Sequence, residues 1–224
     1  MGIPVFILGE SGTGKSCSIR TFKENIGILN VASKPLPFKN NLMVVNLKPK
    51  NAKMVDGSIG IMSNYEQIKK TLKKDTLRTY VIDDSQYLMS FELFDKVNNK
   101  GYDKFTHIAV NFKNLIDVVV NNTSDDTIVY FLHHTESNEF GKTKAKTIGK
   151  MLDNTITLEG LFSIVLNSKV ENGKYSFITQ NDGNNTCKSP MEMFPLEIDN
   201  DLKYVDDTIR AYYNLGGLNN DTDK

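Results

Sequence analysis

Residues 9–16 read GESGTGKS, and no other stretch of the chain limits its fold so strongly. The spacing is G-x-x-x-x-G-K-[ST], with Gly9, Gly14, Lys15 and Ser16 in the fixed places. A loop that wraps a triphosphate must turn its backbone N–H groups inward, and side chains would block that approach, so glycines recur. Lys15 supplies a point charge for the β and γ phosphates, and Ser16 offers a hydroxyl to Mg²⁺. Glu10, Ser11, Gly12 and Thr13 complete the loop, and Cys17 falls in the first turn after it. The flanks fit the same reading. "IPVFIL" (Ile3 to Leu8) is an apolar, β-branched run that predicts a buried strand. "SCSIRTFKEN" predicts a helix carrying Ile19 and Phe22 inward, with its positive end aimed at the phosphates.

Further on, "GILNVAS", "LMVVNLK" (Leu42 to Lys48) and "SIGIM" read as strands, with the loop "KPLPFKNN" between the first two. Ser63-Asn64-Tyr65-Glu66 reads as a capping box opening a helix through "IKKTLKK". "TYVIDDS" (Thr79 to Ser85) is a buried strand, followed by helical patterns at 86–98 and 103–121. The second helix puts Ile108, Phe112, Leu115, Ile116 and Val119 on one face. "TIVYFLHHTE" (Thr127 to Glu136) is another buried strand, and "NEFGKTKAKTIGK" a lysine-rich loop. "LFSIVLNSKV", Glu171-Asn172-Gly173 and "KYSFITQND" predict a β-hairpin with an Asn-Gly turn. Strands alternating with helices predict an α/β chain with a mostly parallel, helix-flanked sheet and an added hairpin toward the C-terminal side. The expected organisation is one domain over residues 1–212 and a polar, flexible tail at 213–224.

Composition narrows the function classes. Twenty-seven basic and 27 acidic residues give zero formal charge, which disfavours a whole-surface nucleic-acid binder and leaves room for a local patch. Two distant cysteines, Cys17 and Cys187, make neither a disulfide framework nor a zinc spacing, and fit a reducing cytoplasm. The first strand starts at residue 3, so no signal peptide is expected, and no apolar run approaches the ~18 residues of a membrane helix.

A phosphate-binding loop needs a carboxylate to organise Mg²⁺, placed at the carboxyl end of a buried strand. Asp83 follows "TYVI" and fits; Asp84 stands next to it, either as the group that orients attacking water or as a cap for the helix after it. The strand ending His133-His134-Thr135-Glu136 would face the γ-phosphate if it neighbours the Asp83 strand. Then His134 or Thr135 would sense phosphate and Glu136 would orient water, or one His is a core residue and Glu136 a solvated one. Adjacent strand residues point to opposite faces, so His133 and His134 do not pair on a metal.

Together "GESGTGKS", "VIDDSQYL", "FLHHTE", "KTIGKMLD", "LEGLF" and "YSFITQNDGNNTCKSPMEMF" resemble the small phage-encoded RecA/AAA-type P-loop ATPases, over residues 2–195. That group includes the RecA-like single-strand annealing ATPases of phage recombination. The resemblance implies a P-loop NTPase fold of RecA/AAA type, ATP as nucleotide and Mg²⁺ as cofactor. It also implies a homo-oligomeric ring or filament in the host cytoplasm, single-stranded DNA as a partner, and a phage recombination or replication protein as a possible second one. The absence of a guanine-specific N-K-x-D agrees with ATP. One departure stands out. RecA-like proteins usually place a catalytic glutamate at the end of the strand after the P-loop helix, yet between Gly27 and Tyr65 the only acid is Asp56. The base is therefore expected at Asp84, with Glu136 second.

Arginines are scarce: Arg20, Arg78 and Arg210 are the only three, and none lies in a loop built to reach a neighbouring subunit. Lys142, Lys144, Lys146 and Lys150 follow Gly141 in the lysine-rich stretch. The resemblance makes Lys142, Lys144 and Lys146 candidates for an inter-subunit role at phosphate. They read also as a DNA backbone contact or as a solvated surface loop, which is what charge runs usually are. Lys188 is a lesser phosphate-reaching candidate. No aromatics interleave with the lysines, so no base-stacking platform for nucleic acid is visible. Two competing functions remain. A nucleotide-gated protein-binding accessory factor without direct DNA contact suits the neutral charge. A small-molecule kinase would call for an arginine-rich lid.

Overall fold

Short runs of Val, Ile, Leu, Phe and Tyr become parallel strands here because helices cover both faces of the sheet they form. The computed structural model describes residues 1–45, 53–74, 76–98, 101, 103–137, 141–149 and 157–216. The strands are β1 (Ile3–Gly9), β2 (Gly27–Asn30), β3 (Met43–Val45), β4 (Ser58–Ile61), β5 (Thr79–Asp83), β6 (Ile128–Ser137), β7 (Thr143–Ala145), β8 (Ile164–Glu171), β9 (Lys174–Ile178) and β10 (Glu197–Asp199). The α-helices are α1 (Tyr65–Leu72), α2 (Gln86–Asp95), α3 (Asp103–Asn122) and α4 (Leu202–Tyr212). They build a ten-stranded sheet of order β10-β9-β8-β1-β6-β5-β2-β4-β3, with β7 paired to β6 off that path. From β8 to β3 every pairing on the path is parallel, and β9 and β10 add antiparallel strands at one edge.

Period-two alternation divides the core. Phe6, Leu8, Tyr80, Ile82, Val129 and Phe131 face the layer of α1, α2 and α3. Val5, Ile7, Val81, Tyr130 and Leu132 face the opposite layer, made by a 3₁₀ helix at Ser16–Thr21 and by α4. The predicted stripe of α3 is buried as expected, from Ile108 to Val119. On the other face, α4 is pinned through Asp206. Its carboxylate accepts from Tyr130 Oη (3.0 Å), Thr79 Oγ1 (3.3 Å) and Arg210 Nε (2.7 Å).

Several local expectations shift. The helix after the 9–16 loop is a six-residue 3₁₀ segment that ends at Thr21, although Ile19 and Phe22 are buried as predicted. The cap of α1 is Asn64, whose side chain accepts from Gln67 N, one residue later than a capping box starting at Ser63 requires. The lysine-rich stretch contains a strand, because β7 pairs with the end of β6. The strand predicted at Leu42 to Lys48 begins at Met43, and residues 46–48 lie outside the described residues. The Asn-Gly hairpin is as read: Asn172 and Gly173 both have positive φ, 50° and 78°, the requirement of a type I′ turn. Of the tail expected at 213–224, residues 213–216 form a turn in which Leu215 N donates to Arg210 O, and the rest lies outside the described residues. Among the described residues no helix is long and apolar enough to cross a membrane.

The end of β6 is tied down by His133. Its ring is fully buried, 5.0 Å from the ring of Phe6 and 5.5 Å from that of Phe112. Nε2 lies 2.8 Å from the carbonyl of Lys146, which can only accept, so Nε2 carries the proton. Nδ1 then accepts from the Ser85 hydroxyl at 3.0 Å. Burial pushes the pKa of His133 from 6.5 down to about 3. In the unfolded chain this imidazole gains a proton near its ordinary value, so its contribution to stability is complete above that pH and is lost as the pH falls toward the folded value. Denaturant unfolding at about pH 7 and about pH 4 should show a smaller acid loss for His133→Gln than for the unsubstituted protein, and an equal loss would assign acid sensitivity elsewhere.

Candidate functional site

At the end of β1 the chain enters the glycine loop, and close packing explains its glycines. A Cβ at Gly9 would stand 2.0 Å from Ser168 Oγ, and one at Gly14, where φ is 94°, would stand 2.8 Å from Tyr175 Cδ1. Ser168, on β8, also contacts Thr13 Oγ1 (2.6 Å) and donates to Leu8 O (3.0 Å), so β8 clamps the loop against β1. Thr13 Oγ1 lies within bonding distance of Glu10 O, 2.8 Å, which closes the loop on itself. Inside this ring Lys15 is 6% exposed, and its Nζ donates to the carbonyls of Gly9 and Glu10, both at 2.7 Å. Burial pushes its pKa down to about 8 against the pull of Asp84 and Asp83. With so short a helix following, loop N–H groups and Lys15 are left to carry the attraction for an anion, rather than a long helix dipole.

The parallel pairing decides what meets the loop. β6 lies between β1 and β5, as the phosphate-facing reading of its end required. Gly9 is in register with His134. On β5, Asp83 Oδ1 accepts from Ser16 Oγ at 2.8 Å, joining positions 67 residues apart. Burial, helped by the charge of Asp84, pushes Asp83 up to about 6. Ser85, not Asp84, is the cap residue of α2, and Asp84 sits in the left-handed region at φ 61°. Its carboxylate meets Lys34 Nζ at 2.5 Å and His134 Nε2 at 3.3 Å, the latter an electrostatic contact off the line of a hydrogen bond. Burial raises the Asp84 carboxyl, but His134 and Lys34 outweigh it and hold it below the usual range. Tyr87 braces both partners: its ring meets that of His134 edge-on at 5.8 Å, and Lys34 Nζ lies 5.5 Å above it.

These groups line a cavity of about 310 Å³ that also includes Ser11, Gly12, Cys17 and Tyr175. Two larger clefts, of about 520 and 550 Å³, lie at the 36–43 loop and along β10. Neither brings together a buried cation and paired buried carboxylates, so the smaller cavity is the candidate site. Glu136 is not in its lining; its carboxylate pairs with Lys144 at 3.3 Å on the β6–β7 ribbon. Lys146 uses its backbone on β6, donating N–H to His134 O (2.9 Å), and its side chain is exposed. Lys142 is half-buried beside β7, and Lys150 lies outside the described residues. Lys188 pairs through its backbone with Val165 on β8, away from the cavity lining. Buried Cys187, whose thiol burial pushes up to about 12, is inert.

Lys34 and Tyr175 are the site residues that sequence reasoning missed. Lys34 follows the carboxyl end of β2, the sheet edge where ligands gather, so its position held a signal. Tyr175 follows a hairpin turn and offers none. Hard oxygen donors from Ser16, Asp83 and Asp84 suit Mg²⁺, which keeps waters and shares substrate phosphates rather than filling a protein cage. Among the described residues no group of three or more His, Cys, Asp and Glu forms such a cage. No family model matches the chain, and no curated protein is significantly similar to it.

Lys15 generates a direct test. A polyphosphate seated in the loop would raise its pKa; if ATP is that ligand, its binding near pH 8 would take up roughly half a proton at this residue, and affinity would fall as pH rises further. Calorimetry in two buffers of different ionisation enthalpy measures that uptake, and Lys15→Ala should abolish it.

Proposed function

We propose that this chain is a Mg²⁺-dependent P-loop ATPase of RecA/AAA type. The observation that carries the reading is the Ser16–Asp83 contact beside buried Lys15, a hydroxyl and a carboxylate drawn together at the carboxyl ends of parallel strands. In this reading Lys15 leaves the loop carbonyls for the β and γ phosphates, and the loop N–H groups hold the same oxygens. Ser16 and Asp83 would hold Mg²⁺, which neutralises charge on the phosphate oxygens. Asp84 orients the attacking water. To do so it must exchange its ion pair with Lys34, and the freed ammonium then stands beside the terminal phosphate, the place an arginine takes in many related sites. His134 stays against Asp84 and fixes its orientation.

The role in phage DNA metabolism, with single-stranded DNA, a ring or filament of copies and a location in the host cytoplasm, is supported by the sequence resemblance alone. The first experiment is ATP turnover with and without single-stranded DNA. Stimulation that Lys15→Ala abolishes supports the DNA-dependent reading; turnover indifferent to DNA favours the nucleotide-gated accessory factor. A second experiment separates the acids. Asp84→Asn should lower kcat by about 10² or more with ATP affinity kept within a few-fold, whereas Glu136→Gln should leave kcat nearly unchanged. The reverse pattern would move the base to the β6–β7 ribbon.

A further inference from the structure

The cavity is polarised along the sheet. Asp83 and Asp84 flank the glycine loop through β5, two strands from β1 on one side, and Tyr175 flanks it through β9, two strands from β1 on the other. We propose that Tyr175 forms the base subsite of this site, so that a nucleoside triphosphate binds with its base stacked on the Tyr175 ring. This rests on the phosphate-loop reading above.

Three observations carry it. The ring lies directly against the loop, since a Cβ at Gly14 would reach within 2.8 Å of its Cδ1. It is held there by a rigid strand: Tyr175 pairs with Val170 on β8, and its carbonyl accepts from Asn200 N at 3.3 Å. Yet the residue remains 45% exposed, and among the described residues no other aromatic ring stacks on it. A nucleotide whose terminal phosphates lie at Lys15, Ser16 and Asp83 must direct its nucleoside away from β5. On the β5 flank a base would strip water from Asp84 and Lys34 without satisfying them, which is costly. On the β9 flank it meets an aromatic face, which favours stacking and does not discriminate among bases by hydrogen bonding.

The test compares ATP with inorganic tripolyphosphate, both with Mg²⁺. Tyr175→Ala should weaken ATP about tenfold, leave tripolyphosphate affinity unchanged, and be rescued by Tyr175→Phe. The chain has no tryptophan, so Tyr175→Trp places a single reporter whose emission ATP should quench and tripolyphosphate should not. Unchanged ATP affinity in Tyr175→Ala, or an equal loss for both ligands, would overturn the subsite while leaving the phosphate loop standing. If the unsubstituted protein binds neither ligand, the phosphate-loop reading falls and the subsite with it.

Discussion

Hydrogen bonding of β6 along both edges is the constraint on which the rest of the structure depends. Its register with β1 sets Gly9 beside His134, and its register with β5 sets Ile82 beside Phe131. The loop after β1 and the acids at the end of β5 are thereby held on either side of the β6 tip, with that one strand between them. Alternation along β6 then separates its two histidines. His133 turns into the layer of Phe6 and Phe112, and His134 turns to Asp84. Because His133 stays neutral, with one nitrogen donating and the other accepting, it links the turn after β5 to the segment after β7 without introducing a charge into the core. A one-residue slip of β6 would exchange the roles of the two histidines and bury a residue that the site needs at the surface.

How much of this was legible in the sequence follows from how local each signal is. The glycine loop, the Asp83 strand and the Asn-Gly hairpin carry their information within a few residues, and their placement matches the reading. The order β8-β1-β6-β5-β2 depends on pairings between distant strands, so the sequence permitted it without specifying it. The helix after the loop is shorter than its pattern predicts: Ile19 and Phe22 fit a helical stripe, but Phe22 already has extended backbone, with φ –70° and ψ 127°. The capping signal at 63–66 was displaced by one residue because Asn64 is as good a cap as Ser63. β7 was hidden by the lysines in and around it: three residues paired to the end of another strand need no hydrophobic pattern.

The site residues divide in the same way. Asp84 was legible as a carboxylate at the right place, but its two partners were not, since Lys34 reaches it from the loop after β2 and His134 from β6. Glu136 looked equivalent in sequence because it lies two residues beyond His134 on the same face. The β6 strand continues past the sheet there, so that face presents Glu136 to Lys144 on β7 instead of to the cavity. The missing arginine has a similar resolution in the reading proposed here. A lysine after β2 stands in the cavity itself, so a cation for the terminal phosphate need not come from a neighbouring copy.

Three costly arrangements meet within this one cavity. Asp83 is a buried carboxylate whose pKa is pushed up to about 6, Lys15 is a buried ammonium pushed down to about 8, and Asp84 is a non-glycine residue held at φ 61°. A left-handed backbone at such a residue costs about 1–2 kcal/mol. None is required by the sheet, because glycine at position 84 would relax the turn and an apolar residue at 83 would pack the strand end. Each bears on the same ligand. A divalent cation would offset the repulsion between Asp83 and Asp84, and an anionic polyphosphate would replace the neutral carbonyls that now hold Lys15. The strained turn aims the Asp84 carboxylate toward Lys34 and His134, where an ordinary helix cap would have spent it on backbone N–H groups. Local instability is therefore concentrated where a phosphate ligand with a cation would relieve it, which separates this cavity from the larger clefts on the surface.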